Sequence, residues 1–367
     1  MKNKDVFKDF LNVKEIDKDL KFWLVRSKKG VFFDEYCNEK FIALGWNYLD
    51  SKNISKKGEK LEEIKNRIKK IYNTKEDTAI INKCDKFINK MKKGHIVMIP
   101  SAHNKEILFA EVGDYFECDF DYIKEIEVIS RIDSKEDYGI DIKCPYKKRR
   151  NIKIIKIIDG NRLNPNLYKA LISHHGLSSI DKYGQYILNS IYNLYTWKND
   201  LNMVINVEKK SDVNAKDFSE MIYCISDILT LADENIKVTT KSNINSPGDV
   251  VLSILNKGSE FLQHHWFTIL VIWGTISGLK IGPINIGSIP DGILKIQQVF
   301  DHKNKKKLDE LEIKHKELDY EKKKYDFYLE RMNTNLEKIE KTTNNLEVDK
   351  GASSNVIKID FTKINDE

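Results

Sequence analysis

The sequence predicts an α+β protein with four parts in series. These are a small open-barrel head, a compact β-α-β unit, a hydrophobic segment and a C-terminal coiled-coil helix. Three observations carry that prediction. Short β-rich runs alternate with turns over residues 20–158, with helical patterns inserted in one place. A strand–helix–strand pattern follows between Leu201 and Thr240. A heptad row then runs from Leu308 to Ile339.

In the head, Phe22 to Arg26 is a short β-rich run, and Phe32 to Phe41 carries helical spacing through Phe33, Tyr36 and Cys37. Phe41 to Trp46 is a second apolar run ending at a turn. Leu61 to Tyr72 places Leu61, Ile64, Ile68 and Ile71 on one helical stripe opposite lysines, and Thr78 to Met91 is a second helix stopped by Lys92-Lys93-Gly94. Strand-like runs follow at His95–Pro100, Glu106–Val112 and Ile123–Ile132. Asn151–Ile158 then alternates isoleucine with lysine.

Asn164-Pro165 marks a boundary. A second domain over 164–245 starts with helices from Asn166 to Leu194. It continues as strand Met203–Val207, helix Ala215–Leu231 and strand Ile236–Thr240. Residues 249–300 hold the hydrophobic segment and a hairpin, 303–341 the coiled coil, and 342–367 a polar, flexible tail.

The 367 residues bury enough surface to fold without a disulfide scaffold. Lys plus Arg is 62 against 56 Asp plus Glu, a net charge of +6. Bulk charge therefore does not drive binding, and a nucleic-acid interface needs a local patch. Five widely spaced cysteines and the absence of an apolar leader after Met1 are read as reduced thiols in a cytoplasmic protein. The sequence lacks the GxxxxGK[ST], GxGxxG and GxSxG signatures. His174-His175 and His264-His265 are adjacent pairs, which point about 100° apart on a helix and cannot easily share a metal. The reading is a non-enzymatic protein with no cofactor and no metal site.

Phe22-Trp23-Leu24-Val25-Arg26-Ser27, Gly94-His95-Ile96-Val97-Met98-Ile99-Pro100-Ser101 and Phe109-Ala110-Glu111-Val112-Gly113-Asp114-Tyr115 occur in order. As an ordered set they resemble the strands of EVE domains, of the PUA-like superfamily. Ile42-Ala43-Leu44-Gly45-Trp46 and Tyr146-Lys147-Lys148-Arg149-Arg150-Asn151-Ile152 resemble elements of the PUA-like domain at the N-terminus of Mrr-type restriction proteins. The resemblance covers about residues 20–158. His95 departs from the family's acidic residue, and Lys28-Lys29 from its Glu-Pro. The remainder resembles bacterial proteins that place such a head before a β-α-β unit, a hydrophobic segment and a coil.

The resemblance implies a PUA-like barrel that binds a modified base in an aromatic-lined pocket, with anti-phage defence as an association of some relatives. Trp23 and Trp46 would stack on the base, and Arg26, Ser27, Ser101 and Asn104 would complete the pocket's polar rim. Stacking on an aromatic side chain is worth about 1–3 kcal/mol per base. Lys147, Lys148, Arg149 and Arg150 are four successive cations suited to phosphate.

Phe261 to Leu279 holds nineteen residues without Asp, Glu, Lys or Arg, near the length that spans a bilayer. Lysines after it favour a cytoplasmic C-terminal flank, which conflicts with a cytoplasmic head. Two readings stand: a re-entrant hairpin in contact with a membrane, or an apolar helix buried in the oligomer. In the heptad row Leu308, Leu311, His315, Leu318, Lys322, Tyr325, Leu329, Met332, Leu336 and Ile339, eight of ten positions are apolar or aromatic. A second copy of the chain is the favoured partner, giving a homo-oligomer. The combined reading is a nucleic-acid sensor or adaptor. The alternative is a membrane-associated interaction protein with a ligand-binding head.

Overall fold

A computed structural model describes residues 13–134, 142–172, 175–243, 248–278 and 315–350, with backbone alone at 243, 315–326 and 329. The chain is mixed α+β. It divides into two compact units: residues 19–191, and residues 1–18 together with 192–367. His174, the hairpin expected after Leu279, the heptad positions before His315 and the tail beyond Lys350 lie outside the described residues.

The first unit is a six-stranded sheet in the order β3-β6-β5-β4-β2-β7. Its strands are β2 (Phe22–Val25), β3 (Phe41–Leu44), β4 (Ile96–Pro100), β5 (Glu106–Glu117), β6 (Lys148–Asp159) and β7 (Leu177–Ser179). β2 and β4 run parallel, and the other neighbours are antiparallel. The register of the antiparallel β5–β6 pair is irregular at Phe109/Ala110 and between Val112 and Tyr115, where bulges add local twist. Alternation explains why β2 is apolar at every position. Trp23 and Val25 join Val97, Ile99, Leu108 and Ala110 in one core, while Phe22 and Leu24 are buried on the opposite face.

Four helices contribute to that core: α1 (Phe33–Glu39), α2 (Glu59–Ile71), α3 (Asp77–Asp85, continued by a π-turn over Lys86–Lys90) and α4 (Tyr122–Asp133). α4 replaces the strand expected at Ile123–Ile132. The Asp121 carboxylate caps it by accepting the Lys124 amide at 2.8 Å. Glu125 and Ile132 are buried on one side of it, with Val128 and Ile129 half-buried between them. That is a helical period, not an alternating one.

The unit also runs past its expected end at 158. α5 (Pro165–Leu171), β7 and α6 (Gly184–Ile191) belong to it. β7 pairs with β2, and a Cβ on Gly184 would meet the Phe22 ring at 2.5 Å. The expected domain 164–245 is thus divided at residue 191.

The second unit is a five-stranded sheet in the order β1-β8-β9-β11-β10. Its strands are β1 (Lys14–Ile16), β8 (Leu194–Trp197), β9 (Asp200–Val207), β10 (Lys237–Asn243) and β11 (Gly248–Leu255). The β-α-β unit is present as β9, α7 (Ala215–Ala232) and β10. β11 lies between its two strands, antiparallel to both.

The hydrophobic run divides at His265 into α8 (Gly258–His264) and α9 (Trp266–Ser277). At 1.5 Å per residue the 12 residues of α9 reach about 18 Å, against a bilayer core of about 30 Å. Among the described residues, no helix is long and apolar enough to cross a membrane. Ile269, Leu270, Ile272 and Ile276 instead fill the unit's own core.

The last helix, α10 (His315–Asn345), packs against α7 and α9. Met332, Leu336 and Ile339, read as coiled-coil positions facing a second copy, are buried in the same core. Arg331 fixes the register with a bidentate pair to Asp227 at 2.8 and 2.5 Å, and Asn335 donates to the same carboxylate at 2.7 Å.

Candidate functional site

The turn after β3 is held from both sides by buried charge. Gly45 lies where a Cβ would stand 2.7 Å from a Glu125 carboxylate oxygen and 3.0 Å from the Tyr146 ring. Trp46 follows with φ +62°, a left-handed conformation that costs a side-chain-bearing residue roughly 1–2 kcal/mol. Glu125 Oε1 accepts the Trp46 amide at 2.5 Å. Glu125 Oε2 accepts the Asn47 amide at 2.7 Å and the Tyr72 hydroxyl at 3.0 Å. From the other side the Lys148 ammonium donates to the carbonyls of Trp46 at 2.8 Å and Leu49 at 2.7 Å. Asn47 ties the turn to the Asp121 and Pro145 carbonyls and accepts the Lys147 amide.

Burial raises the Glu125 carboxyl above its ordinary range, and the donors around it and the Lys148 charge oppose that shift. Burial also lowers the Lys148 ammonium. The result is a Trp46 ring on a fixed stem, partly buried against the core and with the Lys83 ammonium 5.4 Å from its centroid.

The other expected pocket residues are placed elsewhere. Trp23 is 6% exposed and belongs to the core, so it offers no face to a base. Ser27 is buried with its hydroxyl donating to the Pro100 carbonyl. The Arg26 guanidinium donates to the Leu171 carbonyl. Ser101 accepts the Glu106 amide on its hydroxyl at 2.8 Å, and Asn104 sits in a left-handed turn. Arg26, Ser101 and Trp46 therefore engage three different sets of neighbours and not one rim.

The basic run needs the same correction. Strand alternation turns Lys148 and Arg150 inward, at 0% and 5% exposure. Arg150 donates to the carbonyls of Phe87, Ile88 and Gly113, which satisfies the end of the π-turn and the β5 irregularity. Lys147 pairs with Asp50 at 3.2 Å and Glu117 at 3.8 Å. Arg149 lies over the Phe41 ring at 4.1 Å and donates to the Cys144 and Tyr146 carbonyls. The four cations brace the β6 entry and do not present a phosphate-binding row.

Glu125, Tyr72 and Lys83 are the residues the sequence reading missed. A signal for Glu125 was present: it is a carboxylate on the same helical stripe as Val128, Ile129 and Ile132. Four of the cysteines are poor nucleophiles. Burial pushes Cys37, Cys84 and Cys224 up to about 11 and Cys144 up to about 12.

His95 precedes β4 and meets the buried Trp23. Its Nδ1 accepts the Trp23 indole N–H at 3.0 Å and the Lys92 amide at 3.1 Å, so that nitrogen carries no proton. Burial holds the ring below the ordinary histidine range; the Arg150, Lys21 and Lys92 charges add to this and Asp181 opposes it. A base with a lowered folded-state pKa binds fewer protons folded than unfolded. Its stabilisation is complete above about pH 6.5 and is lost as pH falls through the folded value. The melting temperature is expected to drop between pH 7 and 5, and His95→Gln, which keeps an acceptor for Trp23, should flatten that slope. An identical slope in the variant would assign the titration to another group.

No curated protein and no solved structure matches the chain. Residues 21–157, the span that carries Trp46, Glu125 and Lys148, match the family described as a domain of unknown function (DUF8426).

Proposed function

We propose that residues 19–191 form a PUA-like, non-enzymatic nucleic-acid reader in which Trp46 is the stacking platform for a base. The observation that supports this is the strained, partly buried Trp46 held by a buried carboxylate on one side and a buried ammonium on the other. Left-handed backbone at a bulky residue persists only where the surroundings over-determine it, and such strain gathers at ligand sites. A base entering over the ring displaces Lys83, which is then free to pair with a phosphate. Modified or foreign nucleic acid is the substrate class, with anti-phage defence as the context. Of the heptad row, Met332, Leu336 and Ile339 lie in the chain's own core, and a homo-oligomer would have to use other positions.

Trp46→Gly separates platform from scaffold. Glycine accepts φ +62° without strain, which offsets part of the packing lost where the ring lies against the core, so the variant should still unfold cooperatively. It should lose retardation of modified oligonucleotides on a gel at fixed salt, by about ten-fold or more in Kd. A variant that folds and binds every oligonucleotide like the parent removes Trp46 from the interface.

A further inference from the structure

The second unit holds a cleft where three pieces of chain meet. β8 turns into β9 through Lys198 and Asn199, both left-handed at φ +51° and +69°. The Asn199 carbonyl accepts the Gly258 amide at 2.8 Å, and its side-chain amide donates to the Asn256 carbonyl at 2.5 Å. A Cβ on Gly258 would lie 1.9 Å from the Leu201 nitrogen, so only glycine lets α8 start this close to β9. β1 pairs in parallel with β8 and ends beside the same turn, with Ile16 opposite Trp197. The cavity between them measures about 420 Å³. Small-molecule sites span roughly 300–1,000 Å³. We propose that this cavity binds a small organic acid, a planar apolar body carrying a carboxylate.

Thr196 is the residue that points to a ligand. It is 6% exposed and lines the cavity. Among the described residues its hydroxyl has no hydrogen-bond partner. A buried hydroxyl left unpaired costs stability, and a valine of the same shape would avoid that cost. Ser259, half-buried at the start of α8, lines the same cavity, and among the described residues its hydroxyl is also without a partner. Two hydroxyls are thus left to a guest.

The rest of the lining sets the chemistry. Ile16 and Trp197 supply apolar surface, and the two charged residues in the wall, Lys18 and Lys198, are both cationic. The Lys198 ammonium lies 4.1 Å from the Trp197 ring centroid. Among the described residues neither lysine has a carboxylate partner. Asp17, Asp200 and Glu260 adjoin lining residues in the chain but do not line the cavity. The Asp200 carboxylate is occupied by the Asn256 amide at 2.7 Å. A carboxylate here accepts from the hydroxyls and meets positive charge, while its apolar body leaves water against Ile16 and Trp197. The hairpin turn and the Gly258 contact fix the walls before a ligand arrives, so little ordering is left for binding. The site lies within the second unit and does not rest on the function proposed for residues 19–191.

The test is amide chemical-shift titration of the full isotope-labelled chain with three probes: 2-naphthoate, its neutral carboxamide and inorganic phosphate. Naphthoate should give saturable shifts at Thr196, Lys198 and Ser259, and the carboxamide should bind about ten-fold more weakly. Thr196→Val separates ligand from scaffold. It should melt no lower than the parent, because no hydrogen bond within the chain is lost, and should bind naphthoate about ten-fold more weakly. Lys198→Asn suits the left-handed turn. It should weaken naphthoate by a similar factor and leave the carboxamide unchanged. Absence of saturable naphthoate binding, or a carboxamide or phosphate that saturates the same amides as tightly, overturns the proposal. So does a Thr196→Val variant that binds like the parent, or one that melts lower, since its hydroxyl then serves the fold.

Discussion

Lys148→Ala is expected to destabilise residues 19–191 by about 3–5 kcal/mol, the cost of stranding a buried partner charge. The substitution removes the donor to two buried carbonyls and leaves the Glu125 carboxylate without its nearest buried countercharge. Lys147→Ala removes an identical charge one residue earlier, from a part-buried ion pair with Asp50 and Glu117. Its expected cost is about 1 kcal/mol or less. Denaturant unfolding of both variants measures the contrast. Adding Glu125→Gln to Lys148→Met should restore part of the loss, because the two side chains hold the same turn and their effects are coupled. Equal costs for Lys147→Ala and Lys148→Ala would mean that the inward ammonium contributes nothing particular to the Trp46 turn.

Leu336→Ala is expected to cost the second unit about 2–5 kcal/mol through the cavity it leaves. Leu336 is fully buried among residues of α7, α9 and the sheet. Phe327→Ala on the same helix removes a side chain that is 61% exposed and should change stability by less than about 0.5 kcal/mol. Deleting 303–345, which on the heptad reading alone would only reduce the mass of an assembly, should now abolish cooperative unfolding of the second unit. If Leu336→Ala leaves unfolding unchanged and instead lowers the mass in light scattering, the row faces a second copy.

Much of the fold was legible because periodicity reports burial. Phe22–Val25 and Ile96–Pro100 were legible as short, continuous apolar β-rich runs, and the β9–α7–β10 pattern as strand, helix and strand in series. The Ile123–Ile132 segment was misread because isoleucine favours strands. The decisive residue was a buried glutamate, which a search for apolar stripes passes over. β11 was missed because its apolar run adjoins the hydrophobic segment, and the two read as one stretch.

The site was harder to read, since charge does not announce direction. In Lys147–Arg150 only the phase of the strand decides which cations face water, and that phase is set by Ile152 and the pairing with β3. Trp23 and Trp46 differ for a similar reason. One lies within a strand covered on both faces, and the other lies just past a strand end where the chain turns.

The pairing of β1 with β8 sets an order of events. Lys14 meets Tyr195 and Ile16 meets Trp197, so the first strand of the sheet waits for its neighbour until the whole intervening unit has been made. Closing so long a loop for three residues of pairing gives little return, and the entropy must be met before the contact forms. β1 should therefore join last during synthesis and detach first under stress, well below the free energy that opens β9 and β11. Proteolysis at residues 17–21 would read that detachment before any other part of the second unit yields.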